Sequence, residues 1–442
     1  MRSPKWWPYE LGMGLALLLA GPILLIRRGG HYWPTLAGRL GGGGLSSQPS
    51  PPAPLPKGEG GTTPSGQGGL WLHAVSVGEV GVAATLARSL PADLPLAVTT
   101  ITPTGQERAR ASFAGRATVA YLPFDLGFAI RRFFNRSFPA GPPRALLLVE
   151  GDYWPLLLAE AKRRGFPVVV VNGRVGDKGF RRMKKLAPLA RRLLGAVDRF
   201  GVQSEVDRDR LVALGVDPQR IAVTGNLKYD TPEPALSPQL SAAISEVAAG
   251  RSILIAGSTM PGEEEALLGA TTGLEARALM ILAPRHPERW PEVAALLDRS
   301  ARPYLRRSDI ETASAAETPA VLLLDSLGEL AGLYRIAAGA FIGGTLVPTG
   351  GHNPLEAARF GVPVAVGPSM RNFAEMAERF DASAAWRRVA DAADLGAAFR
   401  SWLDDPAAAR DLGRRGATLV EENRGAVGRT LELIRPLLER PS

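Results

Sequence analysis

Cysteine is absent from the 442 residues, which excludes disulfides, thiolate metal sites, iron–sulfur clusters and cysteine nucleophiles. Histidine is scarce, with only His31, His73, His286 and His352, so a metal centre built on imidazole is thinly supplied. Acidic residues fall short of basic ones, 43 against 52. The net charge of +9 favours anionic surfaces such as phosphorylated lipids, nucleotides or nucleic acid. A long apolar run is lacking too. The charge-free stretch Leu11–Ile26 is shorter than the roughly 20 residues that cross hydrocarbon, and Gly21-Pro22 interrupts it.

What is present is ordinary globular material. Apolar residues make up 45% and charged residues 21%, enough to bury a core in a chain long enough for two large domains. No small-residue cleavage pattern follows Ile26, and Arg27, Arg28 and Arg39 flank the apolar stretch on its far side. Residues 1–40 therefore read as an uncleaved membrane anchor and flank, spanning or deeply interfacial, with the downstream chain cytoplasmic. Residues 41–69 are rich in glycine, proline and serine, a composition that cannot order itself by burial. They read as a linker that lets the following chain move relative to the membrane.

From Leu70 onward, short apolar runs alternate with helix-length segments. Strands are expected at Leu70–Val75, Leu96–Thr100, Thr118–Tyr121, Arg144–Val149, Pro167–Asn172, Arg199–Val202 and Arg220–Val223. A second set is expected at Ser252–Ala256, Ala278–Ala283, Ala320–Leu324, Gly339–Ile342 and Val362–Val366. Continuous β-branched runs such as Val168–Val171 suit strands buried on both faces of a parallel sheet. The pattern restarts near the proline-punctuated residues 229–250. It implies two doubly wound α/β domains facing a cleft, 70–230 and 231–442, with ligands at the carboxyl ends of the strands.

Several constellations fall at those strand ends. In HAVSVGEV, Glu79 sits in a strand-to-helix turn, where a carboxylate can take a proton from a hydroxyl. Ser76-x-x-Glu79 is equally a capping box. In LLLVEGDYWP, Glu150 and Asp152 either enter the same cleft or cap the helix starting near Pro155. Residues 172–195 carry Arg174, Lys178, Arg181, Arg182, Lys184, Lys185, Arg191 and Arg192. This is a solvated basic face or a dock for anionic lipid. Nucleic acid is disfavoured, because no base-stacking aromatic array accompanies the charge. In the second half, Ser258 and Thr259 offer hydroxyls at a strand end. Pro284 and Arg285 follow the next strand, Gly328, Glu329 and Leu330 open a helix, and Asn353, Pro354, Leu355 and Glu356 follow a glycine loop suited to a nucleotide. The last set is also a good N-cap with proline behind it.

In order and spacing these segments resemble the 3-deoxy-D-manno-octulosonic acid (Kdo) transferases of lipopolysaccharide synthesis. The resemblance runs through HAVSVGE, YLPFD, VEGDYWP, NGR, VQSEVDRDRL, VTGNLKYD, AGST, APRHPER, DSLGEL and GGHNPLEAARFGVPVAVGP. It implies a GT-B fold and inverting transfer of Kdo from CMP-Kdo to a lipid A precursor at the inner membrane, whose anionic lipid is the further partner expected for the basic residues 172–195. It implies no resident cofactor or metal, CMP-Kdo being the donor substrate. By position, Glu79 is then the general base, and Glu150 or Asp152 with Lys228 supports the transition state. Pro284, Arg285, Gly328, Glu329, Leu330, Asn353 and Glu356 hold CMP. Three departures stand out: Asp152 replaces a glutamate, Val175 replaces a serine after Asn172-Gly173-Arg174, and the glycine/proline linker is long.

Overall fold

The computed structural model describes residues 6–32, 35–42, 68–139, 141–300, 302–311 and 318–439, without the side chains of 20–32. Most of the expected linker lies outside that description, as do the side chains of the Arg27-Arg28 flank. The chain forms two units, residues 1–231 with 424–442, and residues 232–423.

Unit 1 contains β1 (Leu70–His73), β2 (Leu96–Thr100), β3 (Thr118–Tyr121), β4 (Ala145–Val149), β5 (Val168–Gly173), β6 (Arg199–Val202) and β7 (Ile221–Val223). They form one parallel sheet in the order β3-β2-β1-β4-β5-β6-β7. The uninterrupted apolar strands divide their side chains between two cores by the period of two. Leu70, Leu72, Leu147, Val149, Val169 and Val171 face one side. Trp71, Leu146, Leu148, Val168 and Val170 face the other, against the aromatic cluster of Phe133, Phe134 and Phe138.

Unit 2 contains β8 (Ser252–Thr259), β9 (Ala278–Pro284), β10 (Tyr304–Arg306), β11 (Val321–Leu323), β12 (Gly339–Ile342), β13 (Val364–Val366) and β14 (Arg387–Arg388). The sheet is again all parallel, in the order β10-β11-β9-β8-β12-β13-β14. Chain direction across the sheet reverses between β8 and β12, the switch point at which such sheets bind ligands.

The last helix corrects the expected domain boundary. Residues 424–442 belong to unit 1, not to the second domain. The helix Ala426–Leu438 lays Leu433, Ile434 and Leu437 into the first core. Asp230 caps that helix by accepting from the amides of Gly425, at 2.8 Å, and Val427, and Arg429 donates to the carbonyl of Thr224 at 2.8 Å. Ile434 is fully buried. Ile434→Ala is therefore expected to destabilise unit 1 by about 2–5 kcal/mol and to leave unit 2 untouched, which calorimetry of the full chain would resolve as a lower midpoint for one transition only.

The chain ahead of the linker also packs on unit 1. Arg39 donates to the Ile101 carbonyl at 2.6 Å and lies 4.8 Å from the Tyr121 ring centre. Arg136 reaches the Gly42 carbonyl at 2.6 Å. The described residues on both sides of the expected tether, up to 42 and from 68, thus belong to the same unit. The helix Trp7–Tyr32 exposes Trp7, Leu11, Leu15, Leu18 and Leu19. Among the described residues no helix is long and apolar enough to cross a membrane.

Candidate active site

In unit 1 the site is assembled where β1, β4 and β5 end. The helix Val77–Ala87 follows β1 with Ser76 at its cap, but the Ser76 side chain accepts nothing from the helix amides. Instead the Glu79 carboxylate turns back, accepting from the Val75 amide at 2.7 Å and the Ser76 hydroxyl at 3.0 Å. Glu79 thus fastens the backbone just ahead of its helix, but by neither of the two bonds of a capping box. Its surroundings differ from those of an exposed cap. Burial, followed by the charges of Glu150 and Asp152, raises its pKa to about 7 against the opposing hydrogen bonds. A helix cap alone needs no such environment.

Glu150 and Asp152 lie in the loop between β4 and the helix Pro155–Arg164. Lys228 Nζ stands 2.8 Å from Glu150 Oε1, and Asn172 Nδ2 donates to the same oxygen at 3.3 Å. Asn172 Oδ1 in turn accepts from the Leu227 amide at 2.8 Å, drawing the Lys228 turn toward β5. Glu150 (φ 59°) and Asn172 (φ 54°) both occupy the left-handed region. For non-glycine residues this costs on the order of 1–3 kcal/mol each, and such strain collects at functional sites. Burial and the neighbouring Glu150 push the Asp152 carboxyl up. The structure therefore brings Glu79, Glu150, Asp152 and Lys228 together. It adds Asn172, a residue whose backbone conformation no sequence pattern announces.

In unit 2 the expected nucleotide residues fall at the carboxyl ends of four neighbouring strands: Ser258 and Thr259 on β8, Pro284 and Arg285 on β9, 328–330 beyond β11, and 353–356 beyond β12. Close approach sets the glycines here. A Cβ on Gly257 would stand 1.9 Å from the Tyr334 hydroxyl, and one on Gly343 would stand 2.3 Å from the Ser258 carbonyl. The β12 loop is held by a carboxylate that sequence reading did not single out. Glu263 accepts from the amides of Met260, Gly344, Thr345 and Leu346 at 2.7–3.0 Å.

Not every expected ligand is presented as its position suggests. Thr259 is fully buried, and its hydroxyl donates to Glu264 at 2.8 Å, which Arg289 also grips. That hydroxyl is thus engaged within the fold. The Glu329 carboxylate is paired through both oxygens with Arg307, at 3.0 and 2.9 Å, so what its segment offers is backbone, with Gly328 at φ 86°. Asn353 Oδ1 accepts from the Leu355 amide at 3.1 Å, and its Nδ2 lies 3.4 Å from Glu356 Oε1. Pro354 and Leu355 are buried. Arg285 is exposed. His352 beside it is held near pKa 4, first by burial and then by the neighbouring Arg285 and His286, so it is neutral. Among the described residues no group of three or more histidine and acidic side chains is placed to hold a metal ion.

Two all-parallel sheet units of this kind are the architecture of GT-B proteins. The solved structures agree on the fold: UDP-GlcNAc 2-epimerase from Neisseria meningitidis bound to UDP-GlcNAc superposes with a TM-score of 0.56 at 12% identity, covering 83% of this chain and 99% of that one. Sequence narrows the class. Residues 44–231 match the family model described as 3-Deoxy-D-manno-octulosonic-acid transferase (kdotransferase). The 3-deoxy-D-manno-octulosonic acid transferase of Haemophilus influenzae is 36% identical over 84% of this chain and 88% of its own length. That of Bordetella pertussis is 33% identical over 92% and 93%. The chain belongs to the Kdo transferase family of glycosyltransferases.

Proposed function

We propose that this enzyme transfers Kdo from CMP-Kdo to a lipid A precursor with inversion. The acceptor engages unit 1 and CMP engages the strand ends of unit 2. The observation that carries the reading is Glu79, a carboxylate brought to about pKa 7 beside Glu150, Asp152 and Lys228. In its ionised form it takes the proton of the acceptor hydroxyl as that oxygen bonds the anomeric carbon and the bond to the CMP phosphate breaks. Lys228, held against Glu150, supplies positive charge near the transition state. Arg285 and the amides of the 328–330 and 353–356 segments receive the departing phosphate and the nucleoside.

The reading extends to location: an inner-membrane protein with a single N-terminal anchor and cytoplasmic catalytic units. The exposed apolar side chains of residues 7–19 support entry of that helix into lipid. The exposed basic face of the helix Asp177–Lys185 suits anionic headgroups. Thermal protection tests the donor. CMP is expected to raise the unfolding midpoint of unit 2 and UDP to leave it unchanged, and CMP release is expected only when CMP-Kdo and a lipid A precursor are both present. Protection by UDP in place of CMP would favour a UDP-sugar enzyme of the same fold.

A further inference from the structure

The first turns of the N-terminal helix are tied to the loop that follows β3. The Tyr9 hydroxyl is hydrogen bonded to the Asp125 carboxylate. Glu10 Oε1 accepts from the Gly127 amide at 2.8 Å, so neighbouring residues grip both sides of Leu126. Trp6 adds a third hold, its ring centre 3.8 Å from the Arg192 guanidinium.

Asp125 is not a surface group. It is 1% exposed, and its two oxygens accept from the amides of Leu156 and Leu157 at 3.0 and 2.9 Å. Those are the free donors in the first turn of the helix Pro155–Arg164. Nothing local satisfies them, because Trp154 at the cap carries no accepting side chain and Pro155 has no N–H. A carboxylate there also favours the positive end of the helix. The acidic loop hangs between two supports: the end of β4, where Glu150 accepts through its carbonyl from the Arg174 amide at 3.3 Å, and this first helical turn. Moving the turn moves Glu150 and Asp152 relative to Glu79.

We propose that Tyr9 and Asp125 are positioning residues for the transfer reaction. Through them the seated N-terminal helix fixes the acidic loop that faces the general base. None of the observed contacts requires Tyr9 to touch either substrate. The inference rests on the assignment of Glu79 as base, and its test separates the two. The groups acting on Glu79 are Glu150 and Asp152, with Lys228 behind Glu150; those acting on Asp125 are Tyr9 and Glu10.

The experiment compares full-length wild type, Tyr9→Phe, Asp125→Asn and the double variant in detergent micelles, with rates taken from about pH 5 to about pH 9. Tyr9→Phe keeps the ring and loses one hydrogen bond. It is expected to lower kcat about three- to tenfold, to leave KM for CMP-Kdo unchanged, and to move the acid limb of the kcat profile below that of wild type as Glu150 and Asp152 relax away from Glu79. Asp125→Asn, which can accept only through its one carbonyl oxygen, is expected to do the same more strongly, and the double variant to match Asp125→Asn. A fall in kcat with an unmoved limb would show mere loss of folded enzyme and overturn the proposal, as would an unchanged Tyr9→Phe. Should Glu79→Gln remain active, the base assignment itself fails. A dead Glu79→Gln with an unmoved limb in Tyr9→Phe removes only the coupling.

Discussion

Glu79→Gln is expected to lower kcat by about 10²–10⁴, the range for losing a general base, while the protection of unit 2 by CMP stays intact. The amide keeps an acceptor for the Val75 amide, so the cap survives and the loss is one of proton affinity. The same substitution is expected to stabilise the fold at high pH. In the native protein the Glu79 carboxyl stands at about 7, above its ordinary 4.5, so the folded state holds a proton that the unfolded chain has released. Stability associated with this group is therefore full below about pH 4.5 and declines as pH rises through about 7. Glutamine removes that decline. Thermal midpoints of variant and wild type are expected to coincide in acid, to separate as pH rises from about 4.5 to about 7, and to stay apart above neutrality, with the variant higher. Equal midpoints at every pH would mean that the wild-type carboxyl is an ordinary exposed acid. The paired outcome, lower rate and higher stability, marks a residue kept for chemistry at the expense of the fold.

Wild-type kcat is correspondingly expected to rise with pH through about 7, as Glu79 ionises. A plain surface cap would put that limb near the ordinary carboxylate range instead. The rate profile and the stability profile read the same proton from opposite sides.

The alternation of strands and helices was legible because fully buried parallel strands are written as continuous apolar runs, as in Leu146–Val149 and Val168–Val171. The two strands that escaped reading, Tyr304–Arg306 and Arg387–Arg388, lie at the sheet edges, where short polar segments pair with only one neighbour and carry no apolar signal. The return of the last helix to unit 1 was equally hidden. Its apolar stripe says that Leu433, Ile434 and Leu437 are covered, but not by which sheet. At the site, Glu79, Glu150 and Asp152 were readable as carboxylates at strand ends. Whether Glu79 caps or catalyses was not, because both uses need the same spacing from Ser76. Thr259 was ambiguous for a related reason: a hydroxyl at a strand end serves a ligand or a buried neighbour with equal ease, and its bond to Glu264 depends on a residue five positions on. Asp125 and Tyr9 gave no local sign at all, since the helix they secure begins some thirty residues after one and far beyond the other.

Lys228→Ala is expected to have the second large effect, a fall in kcat of about 10²–10³, comparable to removing one preorganised group that stabilises charge in the transition state. The lysine belongs to the short turn Leu227–Asp230, which is pinned at three points. Asn226 accepts from the Lys228 amide at 3.0 Å, Asn172 accepts from Leu227, and Asp230 caps the returning C-terminal helix. Its ammonium is thus placed by the fold and does not search for Glu150. Without it, Glu79, Glu150 and Asp152 remain as carboxylates with no lysine among them, and the full charge of Glu150 acts on Glu79. The acid limb of the kcat profile is then expected to move above about 7, opposite in sign to the shift expected for Tyr9→Phe. Lys228→Arg is expected to return the limb toward its wild-type position while recovering only part of the rate, because a planar guanidinium restores the charge without restoring the point contact at Glu150 Oε1. If Lys228→Ala lowered the rate without moving the limb, Lys228 would act on the substrate alone and the carboxylates would titrate independently of it.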